Sequence, residues 1–142
     1  MPNYCYNRVE IYGEGAEKIA EKIASEETPF DFAKIVPEPD YDKIEVEPTF
    51  ENEDSDFCMP KWWDWRVQNW GTKWNSSECE VTIMDDEQVE FTFNTAWCPP
   101  EEICQALRSK YENKSDESYS NGLFISVNWF YELEGEEGCG YL

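Results

Sequence analysis

Apolar and polar residues alternate in four segments of the chain, and this alternation predicts four β-strands. A period of two places every second side chain on one buried face, as Val9 and Ile11 show in the first segment. The four segments are residues 5–12, 79–84, 89–95 and 123–133. The second and third are joined by a short polar link, which predicts a β-hairpin.

Two other segments have the helical period. Residues 16–26 place Ala16, Ile19, Ala20 and Ile23 on one face, and residues 99–113 begin with the Pro and Glu residues that favour a first helical turn. The order strand, helix, strand, strand, helix, strand predicts the α+β ferredoxin-like β-α-β-β-α-β fold. We therefore expect one domain, residues 1–142, with a four-stranded antiparallel sheet and two helices on one face.

A long insertion, residues 27–78, separates the first helix from the second strand. Its prolines exclude a long helix. Between Glu38 and Asp56 it has nine acidic residues and a single basic one, Lys43, and it is followed by five tryptophans within residues 62–74. We expect the aromatic block to hold the acidic residues in place.

The tryptophans permit two interpretations: a ligand platform, since Trp faces stack bases or sugars and hold cations, or packing. Base stacking normally needs a basic groove, which the surrounding charge opposes. We therefore expect Trp70, Trp74 and Trp97 to pack against the sheet, and Trp62 and Trp63 to remain exposed. Side chains expected to bond to the backbone nearby are Asn69, Thr72 and Thr95.

The charge of the chain restricts its partners. The 142 residues include 32 acidic and 11 basic ones, so the formal net charge is −21. Such a charge opposes direct binding to nucleic acid or anionic membranes and favours partners with basic surfaces, although a merely solvated acidic surface is the plainer interpretation.

Catalytic chemistry has little support in the sequence. The chain has no histidine, so the commonest general base is missing. Acidic clusters such as residues 54–56 or 85–87 have the ligand type that Mg²⁺ or Ca²⁺ prefers, but no calcium-loop or phosphate-loop motif occurs. We predict no catalytic residue, no metal site and no cofactor, and a metal-dependent enzyme is the weakest hypothesis.

The six cysteines have no C-x-x-C pair among them. The N-terminus has no apolar run typical of a secretion signal, and no segment is long and apolar enough to span a membrane. We therefore expect reduced, structural cysteines in a protein of the host-cell cytoplasm.

Four blocks of the sequence resemble the YubB-like family of ferredoxin-fold proteins from phages and plasmids. The resemblance covers nearly the whole chain, with Tyr4 where Trp is commoner and Cys98 where Ser is expected. The blocks are MPNYCYN, residues 30–39, WRVQNWGTKW and FNTAWCPP, with a weaker match at GCGY. The resemblance implies the fold and an origin in a mobile element, and it carries no agreed activity.

The function hypothesis combines the charge with this origin. We expect a non-enzymatic inhibitor, anti-CRISPR-like, that binds a basic nucleic-acid-binding defence protein through acidic surfaces, as a DNA mimic. The alternative is a small ligand-binding or regulatory domain that uses the Trp-rich segment. The predicted partner-binding residues are Asp40, Asp42, Glu45, Glu47, Glu51, Glu53, Asp54, Asp56, Trp62, Trp63, Asp85, Asp86, Glu87, Glu132, Glu134, Glu136 and Glu137.

Overall fold

The computed structural model describes residues 4–47, 60–111, 125–134 and 138–142. Its elements, in chain order, are β1 (Tyr4–Tyr12), α1 (Ala16–Ile23), α2 (Phe32–Ile35), α3 (Lys61–Asn69), β2 (Ser77–Asp85), β3 (Gln88–Ala96), α4 (Glu101–Tyr111), β4 (Ser126–Leu133) and β5 (Cys139–Tyr141).

These strands form one sheet in the order β2-β3-β1-β4-β5, and every neighbouring pair is antiparallel. The predicted antiparallel sheet with helices is confirmed, but the predicted number of four strands is wrong. The fifth strand pairs with β4 through Phe130 opposite Tyr141 and Glu132 opposite Cys139. Together with α2 and α3, it makes the topology differ from the one predicted.

Alternation in the central strand decides which face of the sheet is covered. In β1, Cys5, Asn7, Val9 and Ile11 are buried, and the residues between them are exposed or partly exposed. Val9 and Ile11 belong to the same core as the buried faces of α1 and α4. The helices α1 and α4 therefore cover one face. On the opposite face of the sheet, called the open face below, the side chains of β1 are exposed or partly exposed.

The insertion completes the core with aromatic rings. Phe30 stacks on Phe93 of β3 with ring centroids 4.8 Å apart and meets Trp129 of β4 edge-on at 5.7 Å. Phe32 of α2 meets Trp70 edge-on at 5.6 Å. The described parts of the insertion, residues 27–47 and 60–78, therefore pack into the domain through these rings.

The backbone after α3 passes very close to the backbone at the start of α4. Gly71, which follows the C-cap residue Trp70 of α3, has φ of 85°, and a Cβ there would lie 2.9 Å from the backbone nitrogen of Glu101. Only glycine adopts this conformation at this distance without strain. The loop after α3 is thereby held at the start of α4.

The described cysteines are all free, as expected. Cys5 and Cys104 are buried, whereas Cys98 and Cys139 are exposed, which the expectation of buried structural thiols did not include. Cys58 lies outside the described residues. None of the described helices is long and apolar enough to cross a membrane.

Candidate protein-interaction surfaces

Arg66 of α3 binds Glu38, the first residue of the acidic run between Glu38 and Asp56. Its Nη2 donates to Oε1 of Glu38 at 2.9 Å and its Nε donates to Oε2 at 3.2 Å. The side chains of both residues are about three-quarters buried, with 24% and 26% exposed. A two-point Arg–carboxylate pair of this kind is among the stronger charge-assisted contacts.

The same guanidinium lies against two tryptophan rings. Its carbon atom is 5.1 Å from the centroid of Trp62 and 4.9 Å from that of Trp70, within the range of cation–π contacts. Trp70 is fully buried and its Nε1 donates to the backbone oxygen of Val36 at 2.9 Å. The rings of Trp62 and Trp70 therefore already contact a cation of the protein itself, the guanidinium of Arg66.

Further contacts fix the chain from Glu38 to Glu47, called the acidic segment below. Lys61 of α3 donates to the backbone oxygens of Tyr41 and Ile44 at 3.3 and 3.0 Å. Gln68 donates to the oxygen of Glu47 at 2.6 Å. The expectation that the aromatic block holds the acidic residues is confirmed for this segment.

The acidic segment presents its carboxylates to solvent: Asp40, Asp42, Glu45 and Glu47 are all exposed. Lys43 forms an ion pair with Asp40 at 3.8 Å, but 81% and 56% of these side chains are exposed, so the pair contributes little. Four further predicted positions, Glu51, Glu53, Asp54 and Asp56, lie outside the described residues.

The tryptophan predictions were right for some residues and wrong for others. Trp62 is 36% exposed, as expected, but Trp63 is only 5% exposed, because successive residues of a helix point in different directions. Trp70 is buried, as expected. Trp74 and Trp97 were expected to pack against the sheet, yet they are 39% and 49% exposed.

Trp74 and Trp97 lie on either side of Lys73, whose Nζ is 4.3 and 4.0 Å from their ring centroids. Trp97 has φ of 70°, a strained value for a residue with a side chain. The strain accompanies a tight turn in which the backbone nitrogen of Cys98 donates to the oxygen of Ala96. The ammonium group of Lys73 thus makes cation–π contacts with both Trp74 and Trp97.

The predicted polar contacts with the backbone are confirmed. Asn69 donates to the oxygen of Trp65 at 2.9 Å, and Thr72 donates to the oxygen of Ala96 at 2.9 Å. Thr95 donates to the oxygen of Cys98 at 2.7 Å. The two threonine bonds fix the loops at the end of β3, and the Asn69 bond lies within the last turn of α3.

The other acidic groups lie at opposite ends of the sheet. Asp85, Asp86 and Glu87 are exposed in the β2–β3 turn, beside Tyr12 at the end of β1. Glu132 and Glu134 are exposed near Tyr4 and Tyr6 at the start of β1, while Glu136 and Glu137 lie outside the described residues. The nine residues of β1 separate the two ends by about 27 Å.

The open face is a surface that the sequence analysis missed. It presents exposed Tyr4, Tyr6 and Tyr12 from β1 and Tyr141 from β5. Arg8, on the same face, lies 5.2 Å above the ring of Phe130 and 3.7 Å from Oε1 of Glu10. Two signals together could have identified the open face: the alternation in residues 4–12, and a predicted fold in which the helices cover one face of the sheet.

One cavity opens on this face. It has a volume of about 300 Å³, and we call it the corner pocket. It is lined by Tyr4, Tyr6, Asn94, Glu132, Leu133 and Glu134. Aromatic rings and carboxylates together favour a cationic ligand.

A second cavity, of about 320 Å³, lies between α3 and the start of α4 and contains the Cys98 thiol. Its Sγ lies 3.1 Å from the oxygen of Gly71. Although Cys98 is exposed as a residue, partial desolvation of its thiol and the negative charges of Glu101 and Glu102 raise the pKa of that thiol. A raised pKa disfavours the thiolate, so the environment opposes a nucleophilic role.

Metal coordination has no candidate among the described residues. Residues 4–47, 60–111, 125–134 and 138–142 contain no group of three or more His, Cys, Asp or Glu side chains placed to hold an ion.

Comparison with known proteins gives a partial match to a family model. Neither the curated proteins nor the solved structures include a significant match to the chain. A family model described as a ferredoxin-like domain in Api92-like protein matches residues 69–125, the part that contains β2, β3 and α4. Over these residues the chain is similar to that ferredoxin-like domain.

Proposed function

We propose that this protein is a non-enzymatic inhibitor of phage or mobile-element origin, of the YubB-like type. In this proposal it binds a basic nucleic-acid-binding defence protein, with a CRISPR effector as the first choice of target. Its carboxylates compete with phosphates for the Lys and Arg side chains of the target. Duplex DNA carries one charge per about 1.7 Å of axis, so a mimic needs closely spaced carboxylates on a fixed support.

The anchored acidic segment is the observation that supports this proposal. Its four exposed carboxylates lie on a backbone that Arg66, Lys61 and Gln68 attach to α3. Preorganised charges bind more tightly than mobile ones, because less conformational freedom is lost on association. Complementary fields would also accelerate the encounter with a basic target.

The ligand-platform alternative has less support. The rings of Trp62 and Trp70 already contact Arg66, and those of Trp74 and Trp97 already contact Lys73. A cationic or flat ligand would first have to displace a side chain of the protein itself. Protein binding through the exposed carboxylates requires no such displacement.

The test compares two variants of equal charge for binding to purified CRISPR effectors. The first variant is D40N/D42N/E45Q/E47Q. Its control, E14Q/E21Q/E26Q/E27Q, removes four exposed carboxylates from the β1–α1 loop, α1 and the turn after it. Dissociation constants are measured between 50 and 300 mM salt, with and without competing duplex DNA.

We expect the affinity to fall steeply with salt, as it does for phosphate contacts. The first variant should bind at least about tenfold more weakly, whereas the control should change far less. Salt-insensitive binding, equal losses in both variants, or no binding to any effector would each contradict the proposal.

A further inference from the structure

We propose that the corner pocket receives an arginine side chain of the basic partner. This inference depends on the proposed function for the kind of partner that supplies the arginine. The pocket lies at the end of the open face where β1 begins, away from the β2–β3 turn.

The sheet register places the groups of the pocket side by side. Tyr6 lies directly opposite Asn94 of β3 on one side and Glu132 of β4 on the other. Directly opposite residues in antiparallel strands have Cβ atoms about 4.5–5.5 Å apart. One aromatic ring therefore stands between an amide and a carboxylate.

Glu134 supplies a second, fixed carboxylate. The backbone nitrogen of Tyr4 donates to its Oε2 at 2.8 Å, and the backbone nitrogen of Glu134 donates to the oxygen of Tyr4 at 3.2 Å. Asn94 uses its Nδ2 to donate to Glu78 at 3.0 Å, so its amide oxygen is the group left to accept from a ligand.

Arg8, a basic residue on the same face, contacts groups outside the pocket. Arg8 lies two residues from Tyr6, but it pairs with Glu10 at 3.7 Å and covers the ring of Phe130. The charges of Glu132 and Glu134 are therefore not balanced by Arg8. A cation bound between the two carboxylates would be attracted by both.

A guanidinium fits these groups better than an ammonium. It is planar, stacks on aromatic faces and donates to carboxylates at two points. The chain itself combines the same groups at Arg66, which lies between two tryptophan rings and pairs with Glu38. A volume of about 300 Å³ is at the small end of ligand sites and suits one side chain better than a whole cofactor.

The test uses an octa-arginine peptide as the probe at 150 mM salt, measured by calorimetry. The variant E132Q/E134Q removes both carboxylates of the pocket. Its matched control, E26Q/E27Q, removes the same charge from the turn after α1, outside the lining of the pocket. Both pairs are exposed, so both variants should fold, which near-ultraviolet circular dichroism verifies.

We expect E132Q/E134Q to weaken binding about tenfold or more, and the control to weaken it less than about twofold. Tyr6→Leu should weaken binding about threefold through loss of the ring. Octa-lysine should bind more weakly than octa-arginine, and the peptide should shift the amide resonances of Tyr4 and Tyr6. Equal losses in the pocket variant and its control, no binding of octa-arginine, or equal affinity for octa-lysine would overturn the inference.

Binding to a CRISPR effector separates this inference from the proposed function. If neutralising the acidic segment weakens effector binding while E132Q/E134Q leaves it unchanged, the pocket inference is overturned and the proposed function stands. If no effector binds but octa-arginine binds at the pocket, the proposed function is overturned and the arginine chemistry of the pocket stands.

Discussion

Replacing Arg66 with methionine should detach the acidic segment from α3. Methionine keeps much of the length of the side chain but removes the guanidinium. The change eliminates two charge-assisted hydrogen bonds to Glu38 and the cation–π contacts with Trp62 and Trp70. It also leaves a partly buried carboxylate without its main partner.

The magnitude follows from these contacts. The hydrogen bonds to Glu38 contribute about 1.5–3 kcal/mol, because the partners are charged and three-quarters buried. The cation–π contact with buried Trp70 adds about 1–2 kcal/mol, and the one with exposed Trp62 about 0.5 kcal/mol. We expect Arg66→Met to lower the free energy of unfolding by about 3–4 kcal/mol, allowing for overlap between these contributions.

Urea denaturation of R66M, E38Q and the double variant measures the coupling between the two side chains, which should be about 1–2 kcal/mol. Amide hydrogen exchange in residues 40–47 should accelerate in both single variants. The control is Lys43→Met, which breaks an exposed ion pair in the same segment and should change stability by less than about 0.5 kcal/mol. The reasoning is refuted if R66M costs no more than this control or leaves exchange in the segment unchanged.

Three further predictions concern the core. Trp70→Ala should cost about 3–5 kcal/mol in urea denaturation, whereas Trp97→Ala, at a half-exposed and strained position, should cost less than about 1 kcal/mol; similar costs would contradict the packing described. Asn7→Ala should cost about 2–4 kcal/mol by the same assay, because it removes the buried partner of an indole nitrogen and a threonine hydroxyl; a cost below about 1 kcal/mol would contradict that network. At pH 8 a maleimide should label Cys139 and leave Cys5 unlabelled, since burial raises the pKa of the Cys5 thiol to about 11; mass spectrometry of digested protein distinguishes the two, and prompt labelling of Cys5 would refute its burial.

The alternation of residues predicted the regular strands well. In β1, β3 and β4 the cause is burial on one face, which imposes a period of two on the sequence, whereas β2 alternates although its Val81 and Ile83 are exposed. The strand predicted at residues 79–84 extends over Ser77–Asp85, and the one predicted at 89–95 extends over Gln88–Ala96. β5 could not be recognised, because three residues, one of them Gly140, are too few to show a period. β5 forms by pairing with Phe130 and Glu132 of β4, which are distant from it in the local sequence pattern.

The insertion was less predictable, since its structure depends on contacts with distant residues. Among the described residues of the insertion, the helices are the short α2 and α3, in agreement with the prolines, but the prolines did not reveal that α3 begins directly after Pro60. The tryptophan count indicated packing, yet which ring is buried depends on the rotation of α3. That rotation follows from Trp70 entering the core and from Arg66 reaching Glu38.

The use of the basic residues explains how a chain with a net charge of −21 keeps so much of that charge on its surface. Arg66 contacts the carboxylate of Glu38, Lys61 contacts backbone oxygens of the acidic segment, and Lys73 contacts the rings of Trp74 and Trp97. The charges of Arg66 and Lys61 therefore offset part of the repulsion within the acidic segment, while its four exposed carboxylates take no part in these contacts. Since carboxylates close together repel one another, this segment needs such internal cations to stay ordered. The same contacts that stabilise it therefore leave its outward face negative, which is the property that binding to a basic partner requires.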